Sequence, residues 1–322
     1  MQTTKEQREL KMHKKLLFDT IKRQCGTLEK ANLEGIMNSI EAGASKVSIY
    51  LDAEKDGEKA TLLIEDDGEG ICTKEELQHH FETFGTPHDE SENTYWKQFR
   101  MGRGQMFAFG KNVWRTSTFR MTVDIDNWGL KWELEENLPE YDGCSIEIEL
   151  YKNPIGSYLY YSLDNYKEAL QKQIAFVNTP IFFNDEQINK CSENCNWDCE
   201  DEYAYYLFNK GVNFRIYNLG VFVQEIPAST VGMDGIAVSK QKLKVNFARN
   251  DVLNDCPVYN HINEIIKKNR IKKTTNRKRK LLSFEKISVL RDLRDGVQNL
   301  EDIKDIKIIT TTQGKSLSLF DV

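Results

Sequence analysis

The chain has 322 residues, of which 39% are hydrophobic and 29% are charged, and its formal net charge is -6. This composition supplies enough apolar material for real cores, and the length favours two domains. No run of about 18 apolar residues is present, which argues against a membrane span. The polar N-terminus has no secretory signal pattern, and the scattered cysteines predict a reducing, cytoplasmic location.

In chain order, the first half of the sequence predicts helices followed by strands. The spacing of apolar residues predicts helices over 5–24 and 27–43. Two β-like runs, 46–52 and 60–65, are separated by a polar turn and predict a hairpin. Alternating residues over 112–150 predict further strands. This half is therefore expected to place helices on one face of a largely antiparallel sheet.

The second half predicts a separate α/β domain. The character of the sequence changes near residue 156, with helices predicted over 165–177 and 257–269. Strand-like runs occupy 180–184, 212–217, 220–226 and 243–248. We therefore predict three parts, with bounds at 1–155, 156–262 and 263–322.

The C-terminal half carries further patterns. Residues 267–280 contain nine Lys or Arg, which suits either a contact with nucleic-acid phosphates or a solvated helix end before a linker. A strand-like run just before the last residue suggests that the natural chain continues. Cys191, Cys195 and Cys199 are spaced four apart. Because structural zinc sites favour four ligands, an acidic loop with free thiols is preferred there over a metal site.

The predicted second helix carries three polar residues on one face. Glu34, Asn38 and Glu41 are spaced i, i+4 and i+7. The amide oxygen of Asn is a neutral ligand for magnesium, and Glu one turn earlier can accept a proton from a water that attacks phosphorus. By itself, this pattern also describes the exposed face of an amphipathic helix.

A second polar motif follows the predicted hairpin. The strand passes through Glu65 into Asp66, Gly68 and Gly70, which form a D-x-G-x-G turn. Glycine permits positive φ and lets the backbone approach a ligand closely. A carboxylate at a strand end can accept a hydrogen bond from an exocyclic amine such as that of adenine. An ordinary β-turn has the same composition.

A third motif is rich in glycine. Gly102 and Gly104, followed by Gln105 and Met106, form a turn that opens a predicted helix. Free N–H groups and the helix dipole at such a turn face an anion, which makes it a candidate phosphate cradle. Alone, Gly-x-Gly is a weak signal, and the order and spacing of the three motifs carry more weight.

Together the motifs resemble those of the GHKL superfamily: gyrase, the large heat-shock chaperone, histidine kinases and MutL. The first resembles its N-box, the second its D-x-G-x-G box and the third the glycine box at the end of its lid. Met106 stands where the chaperone and gyrase carry a third glycine, which MutL also lacks. Residues 142–146 resemble the Gly-Thr segment before the last core strand, with Cys144 in place of Thr and Ser145 as a substitute hydroxyl.

The resemblance extends into the second domain. Residues 243–252 resemble the transducer segment of the chaperone and MutL, in which a basic residue reaches the γ-phosphate. Arg249 is at the matching position, with Lys244 as the alternative, although a surface ion pair with Asp251 is the plainer interpretation. The fold implied is α+β: a two-layer α/β sandwich of the Bergerat type, followed by a smaller α/β transducer-like domain.

The resemblance also implies a mechanism that uses ATP and Mg²⁺. In it, Asp66 accepts the adenine amine, Asn38 binds magnesium, Glu34 activates water and residues 73–101 form a lid whose polar stretch 85–93 must order and disorder. The residues expected to act on or contact nucleotide or magnesium are Glu34, Asn38, Glu41, Asp66, Gly68, Gly70, Gly102, Gly104, Gln105, Ser145 and Arg249. Slow hydrolysis and an ATP-driven conformational cycle, commonly through a homodimer, are implied.

Three alternatives differ in what the ATP site does. A histidine kinase needs a phosphoacceptor, and His13, the one helical candidate, lacks the acid-rich context of that motif. A second alternative is a sensor that binds ATP without hydrolysing it. The third is an accessory ATPase on DNA, similar to MutL or MORC proteins. The sequence does not choose between a chaperone-like role with a protein partner, a DNA transaction and a bacterial or phage defence system.

Overall fold

The computed structural model describes two compact units. It covers residues 14–23, 25–84, 102–156, 162–208, 211–246, 249–275, 281–294, 296 and 298–322. The first unit holds the described residues up to Gln173, together with Thr179–Asn189. The second holds Ile174–Asn178 and the described residues from Lys190 onward. In the described part of the chain, no helix has both the length and the apolar character needed to cross a membrane.

The first unit consists of helices and an eight-stranded sheet. Its helices are α1 (Lys14–Arg23), α2 (Leu28–Glu41), α3 (Lys74–Leu77), which continues as a π-helix (Gln78–Glu82), α4 (Gly102–Phe107), α5 (Ile125–Trp128) and α6 (Leu163–Ile174). Its strands are β1 (Val47–Ala53), β2 (Ala60–Asp66), β3 (Gly110–Thr116), β4 (Phe119–Val123), β5 (Trp132–Glu135), β6 (Cys144–Leu150), β7 (Ile181–Phe183) and β8 (Glu186–Gln187). The strand order is β5-β4-β3-β6-β2-β1-β7-β8.

One face of this sheet is apolar and the other is polar. Alternation puts Leu62 and Ile64 of β2 and Ile146 and Ile148 of β6 on one face, where each is at most 2% exposed. The buried face of α2, which includes Ile36, belongs to the same core. This arrangement is the predicted α+β sandwich of helices on one side of a largely antiparallel sheet.

The units differ from the predicted parts at both boundaries. Because β7 pairs in parallel with β1, the chain returns to the first sheet after α6, and Thr179–Asn189 belong to the first unit. The segment after residue 262 belongs to the second unit, since Arg270 and Asp292 form a buried ion pair that joins two helices there.

The second unit is a second α/β domain, as predicted. Its strands are β9 (Cys199–Glu200), β10 (Ala204–Phe208), β11 (Asn213–Asn218), β12 (Val221–Pro227), β13 (Gly235–Ser239), β14 (Ile309–Thr310) and β15 (Ser316–Leu317). Its helices are a 3₁₀ turn (Ser192–Asn194), α7 (Ala228–Val231), α8 (Pro257–Thr275), α9 (Ser283–Arg294) and α10 (Leu300–Ile303). The main sheet has the order β12-β11-β13-β10-β9, and β14 and β15 form a hairpin.

The predicted strand over 243–248 is not a regular strand in the described residues. Val245 makes one isolated bridge to Val252, and residues 247–248 lie outside the description. The central strands β10 and β13 were not predicted. Both are five residues long, and the pattern of buried residues in β13 is almost continuous rather than alternating.

Candidate functional site

The end of α2 supports the turn that follows β2. Gly43 has φ +77, a left-handed conformation that ends the helix. The carbonyl oxygen of Ala42 accepts a hydrogen bond from the N–H of Glu69 at 2.9 Å. A Cβ atom at Gly68 would lie 2.8 Å from that same carbonyl oxygen. Position 68 therefore favours glycine, because any side chain there would crowd the end of α2.

Asp66 is the last residue of β2 and is held from two sides. Ser39 Oγ donates to Asp66 Oδ2 at 2.6 Å, and the N–H of Gly68 donates to Oδ1 at 2.9 Å. Burial raises the pKa of Asp66 above its ordinary value, and these two hydrogen bonds oppose the shift. Because Ser39 directly follows Asn38, this hydrogen bond joins the helix that carries the first motif to the second motif.

Asp67 anchors the same turn to the loop after α2. Its carboxylate accepts hydrogen bonds from Ser45 Oγ, from the N–H of Ser45 at 2.8 Å and from the N–H of Lys46 at 3.1 Å. The hydrogen bond from Ser45 Oγ is the main cause of the lowered pKa of Asp67. Asp67, the second acid of the motif, therefore has a structural role. Its side chain is short enough to accept hydrogen bonds from nearby backbone N–H groups.

Gly70 lies where β3 and the start of β6 meet the turn. It has φ +68, and a Cβ atom there would overlap Thr116 Oγ1. Thr116 Oγ1 accepts from the N–H of Ile71 at 2.9 Å and donates to the carbonyl oxygen of Gly143 at 3.0 Å. Thr116 is fully buried, so its hydroxyl ties the D-x-G-x-G turn to the segment before β6. This hydroxyl was missed in the sequence, because nothing in the β3 alternation marks it.

Ser145 and Asp66 lie on opposite faces of the sheet. Asp66 is paired with Cys144 and Glu65 with Ser145, so Cys144 shares the face of Asp66. Burial, and then the neighbouring Asp66 charge, raise the pKa of the Cys144 thiol. Ser145 lies with Glu65 on the other face, and the hydroxyl on the Asp66 face at this level of the sheet is that of Thr116.

The glycine-rich motif begins α4, which packs beside α2. Met106 of α4 is fully buried, and a Cβ at Gly35 of α2 would lie 3.5 Å from its sulfur. A Cβ at Gly104 would lie 3.0 Å from the ring of Phe84. Gln105 is half-buried. The third motif is thus placed next to the helix that carries the first.

The three polar residues of the first motif flank the buried face of α2. Glu34, Asn38 and Glu41 are all partly exposed, whereas Gly35 and Ser39, one position after Glu34 and Asn38, are buried. Asn38 lies one turn before Ala42, on the same side of the helix as the contact with Glu69. Asn38 therefore lies on the side of α2 that contacts the D-x-G-x-G turn.

The backbone of Arg249 is hydrogen-bonded within the second unit. Its N–H donates to the carbonyl oxygen of Asn246 at 3.0 Å, and Asn246 Oδ1 accepts from the N–H of Asn250 at 3.1 Å. Arg249 has φ +53, a conformation that non-glycine residues seldom adopt. Lys244 forms an ion pair with Asp255, 3.1 Å between Nζ and Oδ2.

The spaced cysteines of the second unit lie in a turn and a short strand. Cys191 Sγ contacts Asn178 Oδ1 at 3.3 Å, Cys195 Sγ contacts the carbonyl oxygen of Cys191 at 3.3 Å, and Cys199 is exposed in β9. Among the residues that the structure describes, no three His, Cys, Asp or Glu side chains are grouped so as to hold a metal ion.

Comparison with known proteins finds a family match within the first unit. Residues 26–148 match the family described as histidine kinase-, DNA gyrase B-, and HSP90-like ATPase. These residues form a GHKL-type ATPase domain. The match starts just before α2 and ends within β6, so it contains all three motifs. No curated protein matches the chain.

Several segments and residues discussed in the sequence analysis lie outside the described residues. They include 85–101 of the expected lid, His13 and residues 276–280 of the basic run. The described start of the expected lid is an ordered helix, because Thr73 and Glu76 form a capping box at its first turn.

Proposed function

We propose that this GHKL-type domain binds ATP with magnesium and hydrolyses the ATP slowly to drive a conformational change. The observation that carries the proposal is the hydrogen bond from Ser39, the neighbour of Asn38 in α2, to Asp66 at the end of β2. The membership of residues 26–148 in a family of ATPase domains supports the same function.

The base end of the site is proposed to be Asp66. Both oxygens of its carboxylate are already oriented by donors, so the remaining lone pairs have a defined direction and can accept from an adenine amine. Gly68 and Gly70 keep the turn close to α2 and β3 without side chains that would fill the space. The burial that raises the pKa of Asp66 also strengthens any hydrogen bond that it accepts.

The phosphate end is proposed to be formed by α2 and the start of α4. The amide groups at Gly102, Gly104 and Gln105 are proposed to bind phosphate oxygens. The donor set fits magnesium, since Asn38 offers a neutral oxygen beside the acids Glu34 and Glu41. Magnesium, when bound, neutralises charge on the phosphate oxygens. Glu34 is proposed to accept the proton of the attacking water.

We assign the supporting hydroxyl of the base pocket to Thr116 instead of Ser145. Thr116→Val leaves the Ile71 N–H and the Gly143 carbonyl without their partner, which costs about 1–3 kcal/mol. We expect it to weaken ATP binding by about tenfold or more, because that cost falls on the turn that holds Asp66. Ser145→Ala, on the other face, is the matched control and should bind ATP like the wild type in calorimetric titrations. Equal effects of the two changes would contradict the assignment.

The function itself is tested on the purified chain. We expect ATP to bind in the presence of Mg²⁺, to bind more weakly with EDTA, and to release phosphate at a slow, linear rate. Titration calorimetry measures the binding and a phosphate-release assay measures the turnover. Absence of ATP binding would refute the proposal, whereas binding without turnover would establish the sensor alternative. Homodimer formation, a contact of residues 267–280 with nucleic acid and the role of Arg249 stay predictions.

A further inference from the structure

Arg103, between the two glycines of the third motif, is bound to the protein backbone. Only 6% of Arg103 is exposed. Its Nε donates to the carbonyl oxygen of Phe81 at 2.7 Å, and one terminal nitrogen donates to the carbonyl oxygen of Thr83 at 2.5 Å. An arginine in a phosphate turn would ordinarily be assigned to the anion, but this guanidinium is directed at residues 81–83.

The carbonyl groups that it binds lie at the end of a helix. The π-helix 78–82 ends at Glu82, and carbonyl groups in the last turn of a helix lack partners within it and carry partial negative charge. A guanidinium satisfies two such oxygens at once through its fixed fork of donors. Arg103 of α4 therefore caps this helix, although it lies 20 or more positions away from Phe81 and Thr83 in the chain.

Aromatic packing holds the same segment against α4. The guanidinium carbon of Arg103 lies 3.9 Å from the centre of the Phe84 ring, within the range of a cation–π contact. Phe81 packs edge-to-face against Phe107 of α4, with ring centres 5.7 Å apart, and against Trp114 of β3 at 5.4 Å. Gly104 leaves room for Phe84.

We propose that Arg103 is a positioning residue that fixes the phosphate turn Gly102–Gly104 against residues 81–84 and is not a phosphate ligand. The consequence of these contacts, a turn that is preorganised to bind phosphate, rests on the proposed function. The base end of the site depends on Asp66 and α2, so it should not respond to Arg103.

The test uses Arg103→Lys in the full chain, because lysine keeps the charge but has neither the fork nor the flat face of arginine. Hydrogen exchange without nucleotide should become faster in peptides that cover 78–84 and 102–107. The dissociation constant for ATP should rise about tenfold, the loss expected for one charge-assisted hydrogen bond, while that for adenosine, followed by NMR, stays within about twofold. Phe84→Leu should give the same pattern in a milder form.

Arg120→Lys is the matched control, because Arg120 of β4 forms an exposed ion pair with Glu135 of β5. It should change neither measurement. Unchanged hydrogen exchange at 78–84 and 102–107 in Arg103→Lys would overturn the proposal that Arg103 fixes the phosphate turn. Equal weakening of ATP binding and adenosine binding would show that Arg103 does not act specifically on the phosphate turn. If the wild type bound no ATP but the exchange result held, the proposed function would fail and the positioning role of Arg103 would stand.

Discussion

Replacing Glu34 with glutamine is expected to slow ATP turnover by about 100- to 10,000-fold, the usual contribution of a general base. Glutamine has almost the same shape as glutamate but cannot accept the proton of the attacking water. ATP binding should be retained, because the contacts proposed for the base and the phosphates come from Asp66, Asn38 and α4. Phosphate release and calorimetric titration, measured on the same preparation, separate the two effects.

Two controls make the Glu34 result interpretable. Glu58→Gln changes an exposed residue of the β1–β2 loop in the same chemical way and should leave turnover unchanged. Thermal unfolding of Glu34→Gln shows whether α2 is intact. Wild-type turnover in Glu34→Gln would show that another group activates the water. Loss of ATP binding would mean that Glu34 contributes to the ground-state complex.

Replacing Asp66 with asparagine should weaken ATP binding by about 10- to 100-fold. This loss is expected when the hydrogen bond from the adenine amine is lost and the amine faces the NH₂ group of asparagine, which is also a donor. The side-chain oxygen of asparagine can still accept from the N–H of Gly68. Its NH₂ group then takes the place of Oδ2, where Ser39 Oγ can accept from it. The adenine amine, however, would meet an NH₂ group in place of an acceptor.

The same substitution should not destabilise the protein. Burial raises the pKa of Asp66 in the folded state, so the carboxyl group favours folding at low pH and loses that contribution as the pH rises through its folded pKa. At neutral pH the ionised group carries a desolvation cost that asparagine lacks. We therefore expect the Tm of Asp66→Asn at pH 7 to equal or exceed that of wild type.

Acid pH should reproduce the binding defect in the wild type alone. As the pH falls towards the raised pKa of Asp66, ATP affinity should decrease at a higher pH than an ordinary aspartate would cause. Asp66→Asn should bind weakly without this dependence, and Asp52→Asn, an exposed change on β1, should behave as wild type. Strong ATP binding by Asp66→Asn at pH 7 would contradict the proposal that Asp66 accepts a hydrogen bond from the adenine amine.

The sequence predicted α2, β1 and β2 of the GHKL domain because their signals are local. α2 spans Leu28–Glu41 with Thr27 at its N-cap and Gly43 just past its end, as the predicted helix over 27–43 requires. β1 and β2 form the predicted antiparallel hairpin. In each case a periodicity of 3.6 or 2 and a turn residue are present within a few positions of one another.

The second sheet was harder to predict for a physical reason. β10 and β13 are adjacent central strands, and β13 pairs in parallel with β11 and antiparallel with β10. Most residues of β13 are buried, so its sequence lacks the alternation that marks a half-exposed strand. Residues 243–248 do alternate, but among those that the structure describes only Val245 makes a β-bridge, to Val252.

By itself, the sequence determined the identities and order of the three motifs, because each motif consists of glycine, acid or amide residues within a few positions of one another. Only the tertiary structure decided which neighbours they use. Thr116 supports the turn because β3 and β6 are paired, and Arg103 binds residues 81–83 because α4 packs beside the π-helix. Ser145 lies away from Asp66 because side chains of a strand alternate between faces. These relations join residues 20 to 80 positions apart, and no local pattern encodes them.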